Sequence, residues 1–274
     1  MVEPQILFLK LGGSLITDKS KPLTPRLDVI QRIAAEIAQT RKRHPQLRLL
    51  IGHGSGSFGH TVADRYQTQA GVQGDKAWLG FTEVWAAARE LDRIVIEHLR
   101  NENLPVIVFP PSTGVIAENR KLKSWNTRPI ESALLHDLIP VVYGDVIFDA
   151  AVGGTIFSTE QLFQHLAKVF QPRRILLAGI DPGVYRNPQQ QHDIFERITP
   201  ENIDQVRQVL SGAENPDVTG GMLSKVQFML ELVREMTALE VLIFSGVEPG
   251  NILGVIEGVN LGTLICSSHN PSSD

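Results

Sequence analysis

Seven short apolar runs recur along the chain, at Ile6–Leu11, Leu47–Ile51, Val106–Phe109, Ile139–Val142, Ile175–Ala178, Val241–Phe244 and Leu264–Cys266. Each reads as a buried strand. Between several of them the apolar positions change to helical spacing: Val29, Ile30, Ile33 and Ile37 fall on one face, as do Val84, Ala88, Leu91, Val95 and Leu99. Strands alternating with helices predict an α/β fold, a three-layer αβα sandwich around a mainly parallel central sheet. Val115–Leu122, polar at its centre, reads as a hairpin instead of a buried strand. The run Asp149-Ala-Ala-Val-Gly-Gly-Thr breaks the pattern, so a boundary is expected near Ala150–Gly154, between an N-terminal lobe over 1–150 and a C-terminal lobe over 151–266. The polar tail 267–274 is expected to be disordered, and Pro182–His192 reads as an exposed loop.

A chain of 274 residues that is 42% hydrophobic can bury one large core or two lobes sharing a sheet. Its net charge of −4 argues against a general binder of nucleic acid or of anionic membranes, so any positive field is local to a cleft. The single cysteine, Cys266, excludes an intrachain disulfide framework and a cysteine-only zinc site. It reads as a buried strand residue in a reducing compartment. Met1-Val-Glu-Pro lacks the basic region and hydrophobic core of a signal peptide, and no run approaches the roughly 18 apolar residues of a spanning helix. The expectation is a soluble, cytoplasmic protein.

The candidate chemistry lies in three glycine-rich turns. Lys10-Leu-Gly-Gly-Ser-Leu-Ile-Thr-Asp-Lys19 and Gly52-His-Gly-Ser-Gly-Ser-Phe-Gly-His60 each follow an apolar run and precede a helical pattern. Glycines there let backbone N–H groups approach an anion, and a helix N-terminus adds a favourable dipole. In the first, the amides of Gly12, Gly13 and Ser14 share their space with the ammonium of Lys10, and Lys19 lies on a segment that can fold back over it. An ordinary tight turn with solvated lysines fits the same residues. In the second, Gly54, Gly56 and Gly59 allow crowded backbone, Ser55 and Ser57 add hydroxyls, and His60 is placed to meet an anion. His53 reads better as a cap or a core hydrogen-bonder. The second turn lacks the Gly-Lys-Ser/Thr ending of a P-loop and the spacing of a dinucleotide fingerprint. The third, Asp217-Val-Thr-Gly-Gly-Met-Leu-Ser-Lys225, sets Gly220 and Gly221 before a helix that carries Lys225, although a surface helix capped by Thr219 has the same pattern. Three anion-ready turns point to phosphoryl transfer.

Lys10-Leu-Gly-Gly-Ser, the second turn, Tyr143-Gly-Asp-Val, Ile180-Asp-Pro-Gly-Val-Tyr185 and Asp217-Val-Thr-Gly-Gly-Met together resemble the amino acid kinase superfamily, over residues 6 to about 266. Within it the chain is most similar to the isopentenyl phosphate kinases, through His60 at the end of Gly-Ser-Phe-Gly-His and through Gly154-Thr-Ile-Phe-Ser-Thr-Glu160. It departs from them at Gly54-Ser55-Gly56, where archaeal members usually have three glycines, and at Ser158-Thr159-Glu160, where Ser-Gly-Asp is common. The resemblance implies transfer of the γ-phosphoryl group of ATP, with Mg²⁺, to isopentenyl phosphate, feeding isoprenoid synthesis. It assigns Lys10, Lys19, His60 and Lys225 to catalysis. Gly12, Gly13, Ser14, Gly56, Asp181, Tyr185, Gly220 and Gly221 go to ATP, and Gly54, Ser55, Gly59, Gly154 and Thr159 to the acceptor. No residue is assigned to a protein-held metal. The helix carrying Trp78, Phe81, Val84, Trp85 and Ala88 is a candidate wall of an isoprenoid pocket, with Trp78, Phe81 and Trp85 its principal candidates, though a stripe of this kind also packs in a core. A homodimer is usual among such proteins. A kinase of another small phosphate or phosphonate is the nearest rival, and a non-catalytic nucleotide-binding regulator is a more distant one.

Overall fold

The computed structural model describes residues 5–187, 190, 193–211 and 221–268, with the side chains of His60 and Ser211 outside that description. In chain order the strands are β1 (Ile6–Leu11), β2 (Arg48–His53), β3 (Val106–Val108), β4 (Val115–Glu118), β5 (Lys121–Trp125) and β6 (Ile139–Tyr143). They continue with β7 (Asp145–Asp149), β8 (Gly153–Phe157), β9 (Arg174–Gly179), β10 (Arg197–Ile198), β11 (Glu240–Ser245) and β12 (Gly262–Ile265). Eight form one sheet in the order β10-β12-β11-β9-β1-β2-β6-β3, and all seven apolar runs are strands of it. Its neighbours pair in parallel, except for β12 against β11.

Period-two alternation along β1 builds the three layers. Leu7, Leu9 and Leu11 face Ile30, Ile33 and Ile37 of helix Leu27–Arg43 and Leu91, Val95 and Leu99 of helix Asp75–Asn101. Phe8 turns to the other face, against Phe163 and Leu166 of helix Thr159–Phe170, in a core that also holds Val226, Met229 and Val233 of helix Gly221–Glu235. The tail residues 269–274 lie outside the described residues, as do parts of the 182–192 loop.

A second sheet, ordered β5-β4-β7-β8, contains the expected hairpin of β4 and β5. The break at 149–153 is the turn of another hairpin, β7–β8. There the Asp149 carboxylate accepts N–H bonds from Asn119, Arg120, Ala151 and Val152. The large sheet takes β1, β2, β3 and β6 from before that turn and β9 to β12 from after it, with the seam at the β1–β9 pairing.

The connection after β11 is fixed by a buried carboxylate. Glu36 accepts from the Gly250 and Leu253 amides at 3.0 and 3.1 Å and pairs with Arg32 at 2.6 Å, while Arg32 also donates to the Gly246 carbonyl. Truncation would leave a cation and two amides without their acceptor. Glu36→Ala is therefore expected to lower the unfolding free energy by about 3 kcal/mol in urea denaturation.

Candidate active site

The alternation that sends Phe8 toward helix Thr159–Phe170 sends Lys10 the same way. Phe8 meets Phe163 with ring centroids 5.0 Å apart. One helical turn toward the N-terminus stands Glu160, whose carboxylate takes a hydrogen bond from the Lys10 ammonium in an ion pair buried on both sides. The helix start is fixed by a capping box: Ser158 Oγ accepts from the Gln161 amide and Gln161 Oε1 from the Ser158 amide. Thr159 donates its hydroxyl proton to the His53 carbonyl at 2.6 Å, tying the helix to the end of β2.

The first two glycine turns lie backbone against backbone. A Cβ on Gly13 would come 2.5 Å from the Gly56 nitrogen, and one on Gly56, at φ +48°, would come 2.1 Å from Thr17 Oγ1. Thr17 bridges the turns, accepting from the Ser57 amide at 3.0 Å and donating to the Gly13 carbonyl at 2.7 Å. These glycines therefore serve the contact between loops as well as any anion. The Gly12 amide is already committed to the Ala178 carbonyl at 2.8 Å, which leaves Gly13 and Gly56 as the amide candidates of that trio.

Lys19 sits in a loop closed by the Thr17–Pro25 bridge, where Asp18 accepts from the Ser20 amide and hydroxyl. Lys225 stands on helix Gly221–Glu235. All three lysines line one cleft of about 550 Å³, together with Gly12, Gly13, Ser14, Gly54, Ser55, Gly56, Gly59, Thr159, Glu160, Asp181 and Gly221. Burial pushes the Lys10 ammonium below its ordinary value; Glu160 opposes that, and Lys225 and Lys19 reinforce it. Burial alone would raise Glu160, but Lys10 and then Lys225 hold its carboxyl below the usual range. Asp145, also in the cleft wall, is pushed up to about 6 by burial, against hydrogen bonds from Ser112 and Val146.

Some expected residues stand elsewhere. Tyr185 does not line the cleft; its hydroxyl donates to Asp181 at 3.3 Å. Trp78 and Phe81 cluster with Phe148, and Trp85 lies under the Arg89 guanidinium. None of the three lines the cleft, because the face that helix Asp75–Asn101 turns to it carries Val84 and Ala88. Ala63 and Ile156 complete that apolar end. Gly154 packs behind it, against Phe81 and Val72. His53 is a core residue, hydrogen-bonded to Asp92 and stacked on Tyr143. Gly220 and the His60 side chain lie outside the described residues; along the same helix Gly59 and Ala63, on either side of His60, both line the cleft. Asp145, carried by the Tyr143-Gly-Asp-Val motif and read there as a residue that orients lysines or water, lines the cleft; Glu160 lies in the Gly154–Glu160 motif, but that motif gave it no part as the partner of Lys10. The Ser158-x-x-Gln161 box before an apolar run was the available signal for Glu160, since it places that residue in a first helical turn.

Residues 5–245 match the model of the amino acid kinase family. The chain is 30% identical to isopentenyl phosphate kinase of Methanocaldococcus jannaschii, over 93% of this chain and 98% of that protein. It is 32% identical to isopentenyl phosphate kinase of Methanothermobacter thermautotrophicus, over 96% and 100%. A solved isopentenyl phosphate kinase structure superposes with a TM-score of 0.79 at 28% identity, over 95% of this chain and 99% of the other.

Asp145 yields a prediction that needs no substrate. The folded protein holds its proton to a pH of about 6, while the unfolded chain releases it near the ordinary 3.8, so between those values the folded state binds more protons. Stability therefore falls as pH rises through that window, by roughly 3 kcal/mol from this group. Urea denaturation at several pH values should show the wild type losing that stability relative to Asp145→Asn as pH rises through the window; carboxylates held low, such as Glu160 and Asp149, add the opposite slope to both proteins and cancel in the difference.

Proposed function

The chain belongs to the amino acid kinase family and, within it, to the isopentenyl phosphate kinases, and on that footing we propose that it transfers the γ-phosphoryl group of ATP to isopentenyl phosphate, giving isopentenyl diphosphate and ADP. The observation that carries this reading is the convergence of Lys10, Lys19 and Lys225 on one cleft whose wall also carries the apolar Ala63, Val84, Ala88 and Ile156. A prenyl monophosphate matches both, with a dianionic head and a hydrocarbon tail.

The acceptor oxygen is ionised at neutral pH, so no carboxylate base has to remove a proton. Transfer forms a bond from that oxygen to the γ-phosphorus and breaks the bond to the ADP oxygen. The difficulty is to bring two polyanions into line, which makes positioning and charge neutralisation the main sources of rate. Lys10 and Lys19 are assigned to the transferring group and Lys225 to the nucleotide phosphates. The Gly13, Ser14, Gly56 and Gly221 backbone and Asp181 complete the ATP side. Gly54, Ser55, Gly59 and His60 take the acceptor phosphate, with Thr159 holding the β2 end beside them. Mg²⁺ would enter with the ATP phosphates and neutralise their charge. Among the described residues no helix is long and apolar enough to cross a membrane.

A coupled ADP-release assay with isopentenyl phosphate, dimethylallyl phosphate, a phosphonate and several amino acids tests the reading. Turnover is expected with the two prenyl phosphates; turnover confined to a carboxylate acceptor would refute it. His60→Ala should abolish use of the monophosphate while His60→Gln keeps part of it, and a fully active alanine variant would remove His60 from the site. Lys19→Ala should lower kcat more than it raises KM, as expected for a contact strongest in the transition state.

A further inference from the structure

The apolar residues Ala63, Val84 and Ile156 of the cleft wall are backed by a layer that does not itself line the cleft. Val72, Phe81, Val84 and Val146 form one buried cluster, with Ala63 and Ile156 packed against it. Val84, Ala63 and Ile156 also line the cleft, so the front of this cluster is the wall and Val72 and Phe81 are its back. Behind them runs the start of β8. A Cβ on Gly154 would come 2.8 and 2.9 Å from the Phe81 ring and 2.9 Å from a Val72 methyl. One on Gly153 would come 2.2 Å from the Val72 carbonyl oxygen. The segment that carries Val72 is held to the same place: its amide donates to the Val152 carbonyl at 2.9 Å, and the Arg120 guanidinium donates to the Ala70 carbonyl. The Asp149 carboxylate fixes both turns that provide those partners, through the amides of Arg120 and Val152.

We propose that Gly154 is a specificity-determining position for the acceptor that acts from behind the wall. Its missing side chain seats Phe81 and Val72 against β8, and that seating sets where Val84 stands relative to the tail of the substrate. Phe81 lies one helical turn before Val84, so a shift of one moves the other. Lys10, Lys19 and Lys225 stand on β1, the 17–25 loop and helix Gly221–Glu235, whereas the three atoms nearest a Cβ at Gly154 belong to Phe81 and Val72. The position therefore acts on the acceptor end alone. Gly153 has a positive φ of 82°, so a side chain there strains the backbone as well; Gly154 has no such φ, and alanine at 154 changes packing only.

The inference rests on the acceptor being a prenyl monophosphate, and its test separates the two. Gly154→Ala overpacks the back layer and should raise KM for isopentenyl phosphate about tenfold while KM for ATP stays within about twofold. Adding Phe81→Leu, which removes the ring atoms nearest the new methyl, should return the acceptor KM to within about threefold of the wild type. A Gly154→Ala acceptor KM equal to the wild type, a parallel rise in both KM values, or no rescue by Phe81→Leu would overturn the proposal. Should Gly154→Ala not fold alone, Phe81→Leu and the paired variant carry the test. Their ratio of kcat/KM for geranyl phosphate over isopentenyl phosphate must then differ, and equal ratios overturn it. A wild type that turns over no prenyl monophosphate refutes the function and this inference with it; wild-type turnover with unmoved variants refutes this inference alone.

Discussion

A lysine ammonium buried at the end of the central strand is costly to keep charged, and in this fold Glu160 bears most of that cost. Lys10 is nearly buried and has two further lysines within electrostatic reach, and the carboxylate in the first turn of helix Thr159–Phe170 is what favours its charged form. Much of the local architecture follows from this requirement. The capping box sets the helix start, Thr159 ties that start to the end of β2, and the contact of Phe8 with Phe163 holds strand and helix in register. The result is a compact positive site in a chain whose net charge is negative.

The two ends of the cleft are built from different material. The cationic end rests on backbone contact: Gly13 against Gly56 leaves no room for a side chain, and the Thr17 hydroxyl bridges the turns. The apolar end rests on side-chain packing between helix Asp75–Asn101 and the small sheet, with glycine permitting the close approach. This division allows the acceptor end to vary in shape without disturbing the lysines.

Much of this was legible in the residues. The seven apolar runs became the large sheet because strands covered on both faces have few other ways to read, and the three lysines stood out because each adjoins a glycine turn. The Glu160 partnership was not legible as such: 150 residues separate it from Lys10, and only the register of strand against helix brings them together. Of the helix residues that formed the candidate wall, periodicity turns Val84 and Ala88 to the cleft, and not Trp78, Phe81 or Trp85. The break at 149–154 signalled a turn, and it is the turn of the β7–β8 hairpin.

Lys10 is a buried cation poised for phosphate. Lysine-selective ¹⁵N NMR measures this directly, by following the Lys10 Nζ through a pH titration with and without a non-hydrolysable ATP analogue. Lys10 should titrate below the ordinary 10.5 in the free protein and rise when the analogue binds, with resonance shifts at Lys10, Lys19 and Lys225 together. A Lys10 that titrates at its ordinary value and ignores the nucleotide would contradict it.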